Sequence, residues 1–150
     1  MDENIKRGFL YGLLATLGMT IIMLLGTFSK LSPMPAPIPV ALVHKLIGNL
    51  PKPALMGLGM LFHFLYGGIA GAVFAKIVKN KNILMGFGWG VILWIIMQII
   101  VLPLLGWGVF GSSITPKIAI ATLALHLIYG GILGRGLSTK KSTVKKEVTE

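Results

Sequence analysis

Histidine and tyrosine recur in this chain at one spacing. Residues 63–71 read His-Phe-Leu-Tyr-Gly-Gly-Ile-Ala-Gly and residues 126–134 read His-Leu-Ile-Tyr-Gly-Gly-Ile-Leu-Gly, so His63 and Tyr66 are repeated as His126 and Tyr129. An imidazole can ligate a metal, carry a proton or exchange hydrogen bonds, and a phenol three residues on can donate to it. Each copy lies inside an apolar run long enough to cross a membrane, where such groups are costly and mark functional sites by default. A repeated site suggests two related halves that face each other.

The residue types missing around these motifs narrow the chemistry further. Asp2, Glu3, Glu147 and Glu150 are the only carboxylates, and none occurs between Asn4 and Lys146. That excludes paired-carboxylate acid–base work, Mg²⁺ or Ca²⁺ cages and carboxylate proton relays from the apolar part of the chain. With no cysteine, thiol nucleophiles, disulfides and Cys-based metal sites are excluded as well. A Ser-His system would lack both a nearby serine and an acid to orient the base. The expectation is a protein that is not an enzyme.

The elements that hold the motifs are set by hydropathy. Of 150 residues, 55% are hydrophobic and only 12% charged, about half the usual charged share. Four stretches reach the roughly 20 apolar residues of a crossing helix: about 8–28, 54–78, 83–105 and 116–137. They use nearly the whole chain, so the expected fold is an all-α, four-helix membrane bundle in a single domain. The first run reads as a retained span rather than a signal peptide. Aligning Gly8 with Gly86 pairs Phe9 with Phe87, Tyr11 with Trp89, Gly12 with Gly90 and Met19 with Met97. The halves are then 8–78 and 83–137, related as a parallel repeat. Between the first two spans, Pro33, Pro35, Pro37 and Pro39 predict extended backbone. The stretch 40–50 then predicts a short amphipathic outer helix with Val40, Val43, Ile47 and Leu50 on one face and a solvated His44.

Charge sets orientation. Lys6, Arg7, Lys76, Lys79, Lys81, Arg135, Lys140, Lys141, Lys145 and Lys146 flank one set of helix ends, against Lys30, Lys45, Lys52 and Lys117 at the other. Ten against four places both termini and the 79–82 turn in the cytoplasm of a multi-pass plasma-membrane protein. The net charge of +10 therefore speaks for topology and not for nucleic acid. Membrane lipid is the expected partner, with the basic tail 138–150 suited to anionic headgroups and a homo-oligomer as a further possibility.

Small residues at every fourth position let helix backbones approach closely in lipid. Gly59, Gly67 and Gly71 flank His63, Gly130 and Gly134 follow His126, and Gly8 and Gly12 lead into Thr16 and Thr20. Both histidines should thus face helices. Counting from the outer helix ends at 1.5 Å per residue puts His63, His126, Gln98 and Thr20 in one polar layer, with Tyr66 and Tyr129 one turn deeper. Such a layer has three possible uses. It binds or passes a small ligand, ion or proton; it only fixes helix packing; or His63 and His126 ligate a b-type haem, with the glycines admitting the macrocycle. A Cu(I) site from His63 with Met56 or Met60 is a weaker variant of the last.

Three stretches carry a resemblance. Gly86-Phe87-Gly88-Trp89-Gly90, the exit Pro103-Leu104-Leu105-Gly106-Trp107-Gly108-Val109-Phe110-Gly111, and His126 to Gly134 resemble an uncharacterised family of small four-span prokaryotic integral membrane proteins, a domain of unknown function. The resemblance covers the second half well and the first more loosely. It implies the topology and a membrane location, and no activity or ligand.

Overall fold

In a computed structural model, residues 2–138 are described; the basic tail after Ser138 lies outside them. The described residues form five α-helices and a short 3₁₀ turn, Val109–Gly111. The helices are α1 (Glu3–Phe28), α2 (Ile38–Ile47), α3 (Lys52–Ile77), α4 (Ile83–Ile96, prolonged by a π-helical turn Met97–Val101 and a last α-turn Leu102–Leu104) and α5 (Lys117–Gly136). All but α2 are long and apolar enough to cross a membrane, giving a bundle of four spans with one shorter helix.

Local chemistry explains the boundaries. The Asp2 carboxylate accepts from Asn4 N–H at 3.1 Å, and the Asn82 amide oxygen accepts from Met85 N–H at 3.0 Å, so both helices that start on the basic side have side-chain caps. Helices α2 and α3 instead carry proline in the first turn, at Pro39 and Pro53, where the missing N–H would have no helical partner. Pro39 therefore starts α2 instead of prolonging the extended segment. The π-turn in α4 has a cause in Pro103, whose ring crowds the carbonyl four residues back and whose missing N–H removes one rung. The ladder widens instead, with Leu102 N–H bonding to Met97 O.

Burial is inverted relative to a soluble protein. Leu84 is 72% exposed and Ile120 73%, whereas Thr16, Thr20, Gln98, Thr122 and His126 are buried. Apolar surface outside and polar groups inside is what lipid selects.

The repeat survives as two tight helix pairs, α1 with α3 and α4 with α5. Glycine makes both. A Cβ on Gly12 would strike the Gly67 carbonyl and stand 3.1 Å from Gly68 Cα; one on Gly86 would strike the Gly130 carbonyl and stand 2.7 Å from Gly134 Cα. These contacts also show that the first and third spans are offset from the sequence alignment by one turn. Gly71 meets Gly8 and Gly12, while its counterpart Gly134 meets Asn82 and Gly86. Gly12 thus plays the part of Gly86, and Thr16 that of Gly90. A row of small residues with period four packs equally well after sliding one turn, so the motif alone leaves the register degenerate.

The halves are joined unequally. Helices α1 and α5 run together along their length, with Gly18 against Ile132 and Gly136 against Tyr11. Their symmetry equivalents, α4 and α3, meet through long side chains such as Phe74 and Trp89, whose ring centroids are 6.0 Å apart. The spans form a curved row α3–α1–α5–α4. Helix α2 docks on α3 with Val43 buried and Val40 over Gly59. Gly59, expected to serve contact between spans, serves α2 instead.

Candidate functional site

Both repeated histidines lie near the middle of their helices. His126 is buried, and its Nδ1 stands 2.8 Å from the Thr122 carbonyl oxygen one turn back. A carbonyl only accepts, so Nδ1 carries the proton and Nε2 of the neutral ring is left as an acceptor. His63 is half-buried, yet its Nε2 is buried with no hydrogen-bond partner.

The π-turn delivers Gln98 into the bundle, fully buried. Its Nε2 donates to Thr122 Oγ1 at 2.9 Å, and Thr122 donates in turn to Ile118 O at 2.7 Å. Trp94 Nε1 donates to Ala119 O at 3.1 Å beside the same hydroxyl. Thr122 is therefore the hub that links Gln98, Trp94 and His126. In the sequence it stands as one more small residue in a packing row, and only the TxxxH spacing to His126 hints at more.

Thr20 is buried, and its hydroxyl has no partner. Register places it beside His63: Thr16 packs on Gly67, and each of the pair lies one turn further out. Gln98 Oε1 is also buried and unpartnered. Three of the expected layer residues thus present orphaned polar atoms within the membrane.

The tyrosines divide. Tyr129 is 3% exposed and its hydroxyl donates to the Gly67 carbonyl at 2.7 Å, tying α5 to α3 across the two halves. Tyr66 is 50% exposed. The expectation that it joins the layer is corrected, because the unequal joining of the halves leaves that face of α3 toward lipid. The glycines expected to serve packing do so: Gly67 is filled by Thr16, Gly71 by Gly8 and Gly12, and Gly130 and Gly134 by Gly86.

Away from the layer, His44 is exposed and its Nε2 stands 2.8 Å from Asn49 Oδ1, as expected of a solvated outer histidine. No cluster of three or more metal-ligating His, Cys, Asp or Glu residues occurs among the described residues.

Four apolar spans, glycine-to-glycine helix pairs and a buried layer of neutral polar groups define a small integral membrane bundle with polar contacts in its interior. The chain belongs to the family of unknown function DUF6789, whose model matches residues 2–148. No curated protein and no solved structure matches it.

Proposed function

We propose that this protein is non-enzymatic and that its intramembrane layer binds a small hydrogen-bonding guest, water and the protons it carries, for permeation between the membrane faces. One observation carries the reading: Thr20 Oγ1, His63 Nε2 and Gln98 Oε1 are buried without partners. An unsatisfied buried polar group costs about 1–3 kcal/mol, and the alternative in lipid is no better. Thr16, one turn away, is by contrast paired with Gly12 O at 2.8 Å; outside the layer, Trp89 Nε1 is also unpartnered. The layer is neutral and free of carboxylates, which disfavours metal cations and inorganic anions. Its acceptors, Gln98 Oε1 and His126 Nε2, suit a guest that donates.

The second reading is a structural or assembly component. The paired contacts favour it, since Gln98 with Thr122 and Tyr129 with Gly67 each fix helix register. Bonds of this kind contribute about 0.6 kcal/mol on average in membranes, which specifies a packing more than it stabilises one. The two readings differ in whether the layer is wet. With ¹⁵N-histidine-labelled protein in lipid, magnetisation transfer from water should reach His63 and His126 side chains within the time it reaches exposed His44. Transfer to His44 alone would leave the packing role.

The same proposal puts both termini and the 79–82 turn in the cytoplasm and the protein in the plasma membrane, from the ten-to-four charge asymmetry. A cysteine label at Gly108 that reacted only after permeabilisation would reverse that orientation.

A further inference from the structure

A shallow groove of about 390 Å³ runs along the lipid-facing side of α4 and α5, apart from the histidine layer. Ile83 and Phe87 form one wall, Leu127, Ile128 and Ile132 the other, and Arg135 stands at its end. The floor is made by a missing side chain: a Cβ on Gly131 would lie 2.8 Å from the edge of the Phe87 ring. From Leu127 to Arg135 the groove follows two helical turns, about 12 Å at 1.5 Å per residue. That approaches the roughly 15 Å depth of one leaflet, half of a 30 Å hydrocarbon core. Arg135 is exposed and forms no ion pair among the described residues, whose carboxylates are Asp2 and Glu3.

We propose that this groove is a specific site for one anionic phospholipid, its acyl chain along the apolar walls and its phosphate on the Arg135 guanidinium. Charge complementarity selects this occupant. Every lining side chain but one is apolar, and that one is a cation without a counter-ion among the described residues, at the headgroup end. Guanidinium matches phosphate oxygens in bidentate geometry. Lys81, two residues before Ile83, adds positive charge near the same end and disfavours a zwitterionic headgroup with its own cation.

The first half provides an internal comparison. Gly68 there covers the ring of Phe9, with a Cβ 2.6 Å from its Cε2, as Gly131 covers Phe87. Leu65 and Ile69 stand where the second half has Ile128 and Ile132, but Ala72 takes the position of Arg135. The apolar floor is repeated and the cation is not, so one lipid per chain is expected.

Native mass spectrometry of the purified chain, with phosphatidylglycerol and phosphatidylcholine supplied equally, tests this. One retained phosphatidylglycerol per chain is expected, preferred by about fivefold, the equivalent of ~1 kcal/mol for one basic residue at an anionic surface. Arg135→Gln should bring the ratio near one, and Leu127→Trp, which fills the groove from the lipid side, should lower retention of both lipids. The double variant Lys79→Gln/Lys81→Gln should keep at least half of the preference. Unchanged preference in Arg135→Gln, or an equal loss in the lysine variant, would mean diffuse attraction and overturn the site. A dimer that Leu127→Trp dissociates, with lipid retention unchanged, would assign the groove to a second copy of the chain and overturn it equally.

Discussion

Gly86→Leu is expected to separate α4 from α5 and to cost the bundle about 3 kcal/mol or more, at the upper end for overpacked sites. The new Cβ would clash with the Gly130 carbonyl oxygen and stand 2.7 Å from Gly134 Cα. Those are backbone atoms of a continuous helix, so no rotamer change can yield the space. The helices must move apart, and the dispersion contacts along both glycine rows are lost together. Gly88→Leu provides the control. It adds the same side chain one half-turn away, where a Cβ meets nothing within 4 Å, and should leave stability within about 0.5 kcal/mol. Unfolding of both variants by denaturing detergent in mixed micelles would read the difference. Equal losses would mean that the α4–α5 contact is not the one described.

Gln98→Leu is expected to separate stability from function. Leucine fills nearly the same volume, removes the orphaned Oε1 and sacrifices the bond to Thr122 Oγ1. The bond is worth about 0.6 kcal/mol in a membrane, whereas an unsatisfied buried group costs about 1–3 kcal/mol. The balance favours the variant, and unfolding should become harder by about 1 kcal/mol. Proton conductance should fall at the same time, by about tenfold if one acceptor of the relay is worth ~1.4 kcal/mol to the barrier. A purely structural layer shares the same bond and the same orphaned atom, and so the same stability balance, but has no conductance to lose. The loss of conductance therefore distinguishes the two readings.

Much of the fold was legible because lipid imposes strong constraints on few variables. Span number follows from apolar length, and buried glycine and threonine rows follow from their spacing on α1, α3 and α5. His126 and Thr20 were placed inside by the same rule and Gln98 by its depth along the third span, and all three are buried. Legibility ended where the pattern is degenerate or a long-range contact decides. The one-turn slip between Gly8 and Gly86 is invisible to a motif that repeats every four residues. Tyr66 and Tyr129 sit in the same His-x-x-Tyr-Gly-Gly-x-x-Gly pattern, and the asymmetric joining of the halves sends one to lipid and the other to the Gly67 carbonyl. Gly59 reads as part of a spanning contact because the docking of α2 through Val40 depends on the path of a proline-rich connection. Pro103 lies inside the third apolar run, where a proline can kink, break or widen a helix. Which of these occurs, and hence which way Gln98 points, was settled by packing against Thr122.

Proton flux into liposomes containing the purified chain, with a pH-sensitive dye inside and the membrane potential clamped, tests the central claim most directly. The native chain should conduct above protein-free liposomes. His63→Ala and His126→Ala should each reduce that flux by about tenfold, the equivalent of ~1.4 kcal/mol in the barrier, while His44→Ala, outside the layer, should not. Flux that is absent from the native chain, or that survives both layer substitutions unchanged, would contradict the account and leave the buried imidazoles as packing groups.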